Sequence, residues 1–165
     1  MVGLEDPTYR NSIAQGFRAH KFFNCMYKVY SQLWYHLIWS TKRREPVLSR
    51  ACRNKLIPVF YKIAKENDYW IDTINGVEDH LHCLISFPPK FSISTVIGRL
   101  KGKSSNWAND KGHLNEPVYW QNGYAAFTVS KTHIHKVRSY IENQESHHKE
   151  QSLDEELIKL KNWNQ

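Results

Sequence analysis

Apolar residues along the chain recur with two spacings, one typical of strands and the other of amphipathic helices. An aromatic, β-prone run without Gly or Pro predicts a first strand over residues 29–40. A helical stripe then predicts a helix over about residues 49–67, in which Pro58 is expected to cause a kink or to delay the start. The apolar residues of this stripe are Leu56, Val59, Phe60, Ile63 and Ala64.

The same two spacings predict the rest of the fold. The further elements are strands over 69–74 and 81–87 with a tight turn at Asn75-Gly76 between them, a helix from a cap at Ser92 or Ser94 to about 109, a strand over 124–129, a helix from a cap at Ser130 to about 147, and a last helix near 153–163. The resulting order is β-α-β-β-α-β-α-α. It favours an α+β fold of the ferredoxin-like kind, with an antiparallel sheet of four to five strands and helices on one face.

Length and composition fit a single globular domain. The chain has 165 residues, of which 41% are hydrophobic, enough for a real core. Residues 1–28 show no clear period, so we expect an irregular N-terminal extension followed by one domain over 29–165. The three cysteines form no CxxC pair, and no apolar run has the length of a signal peptide or membrane span, which favours a soluble, cytoplasmic protein.

Basic residues outnumber acidic ones, which gives a formal net charge of +7 and a pI near 9.3. Because cationic side chains displace counterions from phosphates, this balance is compatible with a nucleic-acid partner. Two basic runs supply the candidate phosphate contacts, unless they are ordinary solvated faces. These candidates are Lys42, Arg43, Arg44, Arg99, Lys101 and Lys103.

Two histidines lie two residues apart in the third predicted strand. Because side chains alternate along a strand, His80 and His82 point to the same face and can share one metal ion. The alternative is that one is a core residue and the other is exposed. A second pair, His133 and His135, falls in a predicted helix, where residues two apart face away from each other and cannot easily chelate one ion.

Tyr140 and Gln144 are four residues apart in a predicted helix and therefore share a face. A tyrosine oxygen can attack phosphorus and hold DNA as a covalent phosphotyrosine. A glutamine carbonyl oxygen can serve as a third metal ligand beside two imidazoles, and a bound cation would polarise the scissile phosphate. The alternative is a tyrosine at the edge of the core and a solvated glutamine.

Several stretches together resemble the HUH single-tyrosine transposases of small bacterial insertion sequences, the family often called IS-two-hundred-like. The resemblance runs from about residue 30 to the end, with motif order and spacing preserved throughout. The matching stretches are YHLIWSTKRREPVL (35–48), GVEDHLHCLISF (76–87), SISTVIGRLKGKSSNW (92–107), WQNGYAAFTVS (120–130) and VRSYIENQESHHKEQS (137–152).

The resemblance implies that His80 and His82 form the HUH metal motif, that Tyr140 is the nucleophile and that Gln144 is the third metal ligand. It also implies a homodimer that cuts single-stranded DNA beside a hairpin at each element end, forms a 5′-phosphotyrosine and rejoins strands. The implied cofactor is Mg²⁺ or Mn²⁺; two imidazoles shift the preference toward Mn²⁺ and later metals.

Two other functions are compatible with parts of the sequence. A non-catalytic single-stranded nucleic-acid-binding protein accounts for the charge and the aromatic residues, but it gives the histidines, Tyr140 and Gln144 no joint role. A metal-dependent hydrolase that activates water leaves Tyr140 structural. A covalent protein–DNA adduct distinguishes the transposase from both.

Overall fold

The computed structural model describes residues 31–110, 113–114, 116–147 and 153–162. The predicted extension over 1–28 therefore lies outside the described residues. The strands are β1 (Trp34–Ser40), β2 (Trp70–Gly76), β3 (His80–Ser86) and β4 (Ala125–Val129), and the helices are α1 (Arg50–Glu66), α2 (Ile93–Asn109), α3 (Ile134–Glu142), α4 (Gln144–His147) and α5 (Leu153–Asn162). Within these ranges, no helix has both the length and the apolar character needed to cross a membrane.

The four strands form one antiparallel sheet in the order β2-β3-β1-β4. This order, together with the βαββαβ connection, confirms the predicted α+β class and its ferredoxin-like topology. The central strands β1 and β3 pair so that Ile38 lies opposite His82 and Ser40 opposite His80. The two histidines therefore stand in the middle of the sheet rather than at its edge.

Helices cover both faces of the sheet, which corrects the expectation of helices on one face. The first face carries α1 and α2 and contains the main apolar core, in which Leu37 and Leu81 of the strands meet Leu56 and Leu100 of the helices. On the second face, α3 packs against Leu84. The α5 helix packs against Ile38 on the same second face, through Leu153 and Leu160.

The hairpin between β2 and β3 turns later than predicted. β2 continues through Gly76, and residues 77–79 connect it to β3, where the backbone N–H of Val77 donates to the carbonyl of His80 at 3.1 Å. A Cβ atom on Gly76 would lie 2.1 Å from that same carbonyl oxygen. The glycine is thus explained by the close approach of β3 rather than by a turn at Asn75-Gly76.

Two predicted helix starts agree with the structure. α1 begins at Arg50 behind Ser49, whose hydroxyl accepts a hydrogen bond from the backbone of Cys52 at 3.3 Å, and it continues through Pro58 without a delayed start. α2 follows a cap at Ser92, which accepts from the backbone of Thr95 at 3.1 Å. β1 is shorter than predicted, because its pairing begins at Trp34.

The helix predicted from Ser130 to about residue 147 is divided into three pieces. A 3-10 turn spans Lys131–His133, α3 follows, and the chain leaves helical geometry at Asn143 before α4. The Ser130 side chain interacts with Nδ1 of His133 at 2.7 Å rather than capping a backbone N–H. Tyr140 and Gln144 consequently lie on different helices.

Candidate metal centre and nucleophile

Both histidines of the HxH pair are completely buried and point to the second face of the sheet. Their side chains have 0% exposure, and their ring centres are 5.1 Å apart. Leu81 and Cys83, between and beside them, belong to the apolar core of the first face. Strand alternation thus places two imidazoles together on the face that α3 and α5 cover.

Asp79 orients the first of these imidazoles. Nδ1–H of His80 donates to the Asp79 carboxylate at 2.6 Å, and Arg44 donates to the same carboxylate at 3.0 Å. Burial raises the pKa of Asp79, but the hydrogen bonds from His80 and Arg44 outweigh it and bring the pKa to about 2. Burial lowers the pKa of His80, whereas the two carboxylates of Asp79 and Glu156 raise it above its ordinary value. Nε2 of His80 is left to face the site.

A third histidine, His36 of β1, contacts the second imidazole. Its Nε2 lies 2.9 Å from Nδ1 of His82, and its side chain is buried. Burial, followed by the charge of His82, lowers the pKa of His36 well below its ordinary value, against the opposing effect of Glu156. His36 was not identified from the sequence, because its role depends on the pairing of β1 with β3.

Tyr140 reaches the histidines from α3. Its ring centre lies 6.1 Å from that of His82. Two contacts fasten α3 to β2: the guanidinium of Arg138 donates to the Asp72 carboxylate at 2.6 and 2.7 Å, and the Asn75 amide donates to the carbonyl of Glu142 at 3.1 Å. The tyrosine is thus positioned by a helix that is fixed at both its middle and its end.

Gln144 lies at the start of α4 and is completely buried. Its Nε2 donates to Oε1 of Glu156 at 3.0 Å, while its Oε1 makes no hydrogen bond to any described residue. A buried amide oxygen without a hydrogen bond is costly. The break at Asn143 does not separate Gln144 from Tyr140, since both side chains hydrogen-bond Glu156.

Glu156 of α5 completes the cluster and was missed from the sequence. Glu156 is only 3% exposed. Its carboxylate oxygens lie 3.7 Å from Nε2 of His80 and 3.5 Å from Nε2 of His82. The sequence does carry a signal, because Glu156 interrupts the apolar stripe of α5. That stripe otherwise consists of Leu153, Leu157 and Leu160.

The tyrosine hydroxyl is protonated in this arrangement. Burial, then the hydrogen bond to Glu156 and the charge of that carboxylate, raise the pKa of Tyr140 above its ordinary value, while Gln144 acts in the opposite direction. A nucleophilic role therefore requires an acceptor for the hydroxyl proton, and Oε1 of Glu156 already accepts its hydrogen bond.

The six basic candidates contact two different sets of neighbours within the chain. One group surrounds Gln121, whose side chain accepts from the backbone N–H of Arg43 at 3.2 Å. Lys42 and Arg43 are exposed there, whereas Arg44 pairs with Asp79 and lies 3.7 Å from Asp154.

Lys101 contacts the same region around Gln121, where its ammonium group has a structural role. Its ammonium donates to the carbonyl of Gln121, to that of Asn122 at 3.3 Å and to that of Gly123 at 3.1 Å. Burial lowers the pKa of Lys101. This lysine holds the loop before β4, so the sequence interpretation of a phosphate contact is weaker for Lys101 than for Lys42 and Arg43.

The second basic group lies beside the end of α1. Arg99 donates to the hydroxyl of Tyr69 at 2.9 Å, and Lys103 lies 3.4 Å from the Glu66 carboxylate. Both side chains are exposed but already occupied by neighbours within the chain. Arg99 and Lys103 thus have contacts different from those of Arg43 and Arg44.

One face of a ferredoxin-like sheet thus carries two buried histidines with a tyrosine and a glutamine beside them. The chain matches the family model described as "Transposase IS200 like" over residues 29–144 and belongs to that family. It is therefore a transposase, an enzyme acting in DNA transposition. The matched range contains both histidines, Tyr140 and Gln144, and it ends before α5.

Named relatives agree with this assignment. The chain is 33% identical over 118 residues to the ISDra2 transposase TnpA of Deinococcus radiodurans, covering 68% of this chain and 84% of that protein. It is 29% identical over 131 residues to the transposase for insertion sequence element IS200 of Salmonella typhimurium, covering 76% of this chain and 80% of that protein.

Two solved structures share the fold. A crystal structure of a protein from Deinococcus radiodurans R1 described as a transposase superposes with a TM-score of 0.56 at 29% identity, over 73% of this chain and 98% of that one. A REP-associated tyrosine transposase bound to a REP hairpin superposes with a TM-score of 0.53 at 16% identity, over 76% of this chain and 74% of that one.

Proposed function

We propose that this transposase cleaves and rejoins single-stranded DNA through Tyr140, beside a divalent cation held by His80, His82 and Gln144. The observation that carries the proposal is the convergence of these four side chains, from three separate elements, on the second face of the sheet, where the histidines and Gln144 are buried and Tyr140 is partly buried. Neither a non-catalytic binder nor a hydrolase with a structural tyrosine gives all four a common role.

The donor set suits a divalent cation. Two imidazole nitrogens face the site, and the Oε1 atom of Gln144 is a buried acceptor that makes no hydrogen bond to a described residue. A cation would satisfy this oxygen and would supply polarisation of the scissile phosphate. Amide oxygen and imidazole ligands are compatible with Mn²⁺, and Mg²⁺ would need further oxygen ligands.

Tyr140 supplies the nucleophile. Its hydroxyl oxygen attacks the scissile phosphorus, the bond from phosphorus to the 3′ oxygen breaks, and the leaving oxygen takes a proton to become a free 3′-OH. The proton of Tyr140 passes to the nearest acceptor, Oε1 of Glu156. The product is a 5′-phosphotyrosine, which stores the energy of the broken bond for rejoining.

The DNA substrate in this proposal carries a hairpin beside the cleavage site, and the active protein is a homodimer. Support for the hairpin comes from the structural neighbour bound to a REP hairpin, which shares the fold of this chain. Lys42 and Arg43 are the exposed cations that we assign to the phosphates. Light scattering coupled to gel filtration measures the oligomeric state directly.

The decisive experiment detects a covalent adduct. Labelled single-stranded oligonucleotides with hairpins are incubated with the protein and Mn²⁺, and the products are separated on a denaturing gel. We expect a protein–DNA band that disappears with Tyr140→Phe, with His80→Ala and with EDTA. Tyr119→Phe is the matched control, because Tyr119 is 54% exposed and lies outside the site, and it should retain the band.

Each alternative function has its own signature in this experiment. Cleavage that survives Tyr140→Phe would identify a hydrolase that activates water. Retained binding without cleavage or adduct, across the hairpin library and in both Mn²⁺ and Mg²⁺, would identify a non-catalytic nucleic-acid-binding protein.

A further inference from the structure

One carboxylate is buried on a helix that is otherwise a conventional amphipathic element. Glu156 of α5 is 3% exposed, whereas its neighbours Asp154 and Glu155 are exposed. Burying a carboxylate is unfavourable unless charged or hydrogen-bonding groups compensate it. The α5 helix lies beyond the family match, which ends at residue 144, so the match itself assigns no role to this carboxylate.

The distances from this carboxylate to the imidazoles fit a shared ligand shell. Oε2 lies 3.7 Å from Nε2 of His80 and Oε1 lies 3.5 Å from Nε2 of His82. An ordinary N–H···O hydrogen bond is about 2.7–3.2 Å long. Ligand atoms that bind one ion at about 2.1 Å lie about 3–4 Å from each other. One ligand atom from each of the three residues fits within 4.8 Å of the others.

The two oxygens of this carboxylate have different neighbours. Oε1 accepts hydrogen bonds from the Tyr140 hydroxyl and from Nε2 of Gln144, which fixes the orientation of the group. Oε2 is then directed toward Nε2 of His80. The opposite end of the Gln144 amide carries the Oε1 atom that has no hydrogen bond among described residues. Two imidazoles and one carboxylate thus surround the same position, and the Gln144 amide lies beside that carboxylate.

We propose that Glu156 is an additional ligand of the cation bound by His80 and His82, and that the cation thereby fastens α5 to the sheet. The inference rests on the proposed function, which supplies the cation. A carboxylate adds negative charge and a hard oxygen, which moves the preference of the two-imidazole site toward Mn²⁺ and Mg²⁺. Metal binding and the docking of α5 are then thermodynamically linked.

Calorimetric titration with Mn²⁺ alone tests the ligand role. Glu156→Gln keeps the shape of the side chain and an acceptor for Tyr140, and we expect it to raise the dissociation constant about 10- to 100-fold. Glu155→Gln, one residue away and exposed, is the matched control and should bind as the unsubstituted protein does. An unchanged dissociation constant in Glu156→Gln would overturn the inference.

Hydrogen exchange on the unsubstituted protein tests whether Mn²⁺ binding stabilises the docking of α5. This test remains possible if Glu156→Gln fails to fold. We expect Mn²⁺ to slow exchange of the backbone amides of 153–162 at least several-fold, and this protection to vanish in folded Glu156→Gln. Faster exchange in Mn²⁺ would mean that Glu156 occupies the position of the cation and is displaced by it, which overturns the inference.

The proposed cation site and the ligand role of Glu156 can be refuted separately. If His80→Ala abolishes Mn²⁺ binding while Glu156→Gln does not change it, the cation site stands and the role of Glu156 is refuted. If the unsubstituted protein does not bind Mn²⁺, or if His80→Ala binds it equally well, the proposed cation site itself is refuted, and the inference falls with it.

Discussion

His82 depends on another histidine for the tautomer that the proposed site needs. A cation on Nε2 of His82 requires the ring proton on Nδ1, which lies 2.9 Å from Nε2 of His36. Because burial and the charge of His82 lower the pKa of His36, the His36 ring is neutral at pH 7, and its Nε2 can accept a hydrogen bond from Nδ1–H of His82. His36 thus acts as a positioning residue.

Replacing this acceptor should weaken metal binding without removing a ligand. We expect His36→Phe to raise the Mn²⁺ dissociation constant about tenfold, and His36→Gln, which keeps an acceptor, to have a smaller effect. Calorimetric titration measures both. If His36→Phe bound Mn²⁺ as tightly as the unsubstituted protein does, His36 would contribute only to packing.

The hydrogen bond between Asp79 and His80 should make stability depend on acidic pH. The folded pKa of Asp79 is about 2, below the ordinary value of 3.8, so the carboxylate stabilises the fold above about pH 4 and this contribution is lost as the pH falls to about 2. The shift corresponds to about 2 kcal/mol of unfolding free energy. Urea denaturation in EDTA between pH 5 and pH 2 should show a smaller loss in Asp79→Asn.

The exposed Asp110→Asn is the control for this pH experiment and should keep the full dependence. Equal pH dependence in Asp79→Asn and the unsubstituted protein would show that other carboxyl groups govern acid unfolding.

Individual residues were predictable where a short pattern determines geometry. His80 and His82 share a face because strand alternation requires it, and that needs no knowledge of the neighbouring strands. His36 and Glu156 could not be assigned in the same way, since each reaches the site only through long-range packing. The histidine on β1 has no local signature, and the glutamate's interruption of the apolar stripe of α5 does not show which residues it contacts.

At the scale of elements, the β2–β3 hairpin is the most sensitive to a single methyl group. A Cβ on Gly76 would meet the His80 carbonyl at 2.1 Å and Cα of Leu81 at 2.8 Å, and both are backbone atoms that cannot move independently. We expect Gly76→Ala to lower the unfolding free energy by about 2–4 kcal/mol and to weaken Mn²⁺ binding, because the same carbonyl belongs to a proposed ligand. Thermal unfolding and calorimetry measure the two effects.

A second glycine provides the contrast. Gly98 lies exposed in α2, and a Cβ there would have no atom within 4 Å. Gly98→Ala should therefore stabilise the protein by about 0.5–1 kcal/mol through helix propensity. A Gly76→Ala variant as stable as Gly98→Ala would contradict the steric explanation.

The helical patterns predicted buried stripes correctly but not which sheet face each stripe would cover. The stripe of α3 contains Ile134, Val137 and Ile141 and is compatible with either face. Packing decides the outcome, because α1 and α2 already fill the first face and leave the second to the C-terminal helices. The break at Asn143 was likewise not predicted, since the spacing of Tyr140 and Gln144 fits an unbroken helix.

At the scale of the whole molecule, the net charge of +7 should appear as salt-dependent DNA binding. Among the described residues, no ion pair involves the side chain of Lys42 or Arg43. We expect the double substitution Lys42→Gln/Arg43→Gln to reduce the slope of log affinity against log salt by about 2. Fluorescence anisotropy with a hairpin oligonucleotide at several KCl concentrations measures this slope.

Lys101→Gln is the informative comparison for this experiment. It removes one positive charge rather than two, together with three hydrogen bonds to the loop before β4, so it should lower the melting temperature and leave the salt slope unchanged. If Lys101→Gln reduced the salt slope as much as the loss of an exposed lysine does, Lys101 would be a DNA contact instead.

The main apolar core and the buried histidines lie on opposite faces of the sheet, and this separation has an evolutionary consequence. The first-face core contains neither Tyr140 nor His80, so substitutions there, which would abolish the proposed catalysis, should leave the packing of α1 and α2 intact. We expect copies of the gene that have lost mobility to encode folded, basic, DNA-binding proteins for many generations. A host that benefits from a stable protein bound to its repeated DNA sequences could retain such inactive descendants.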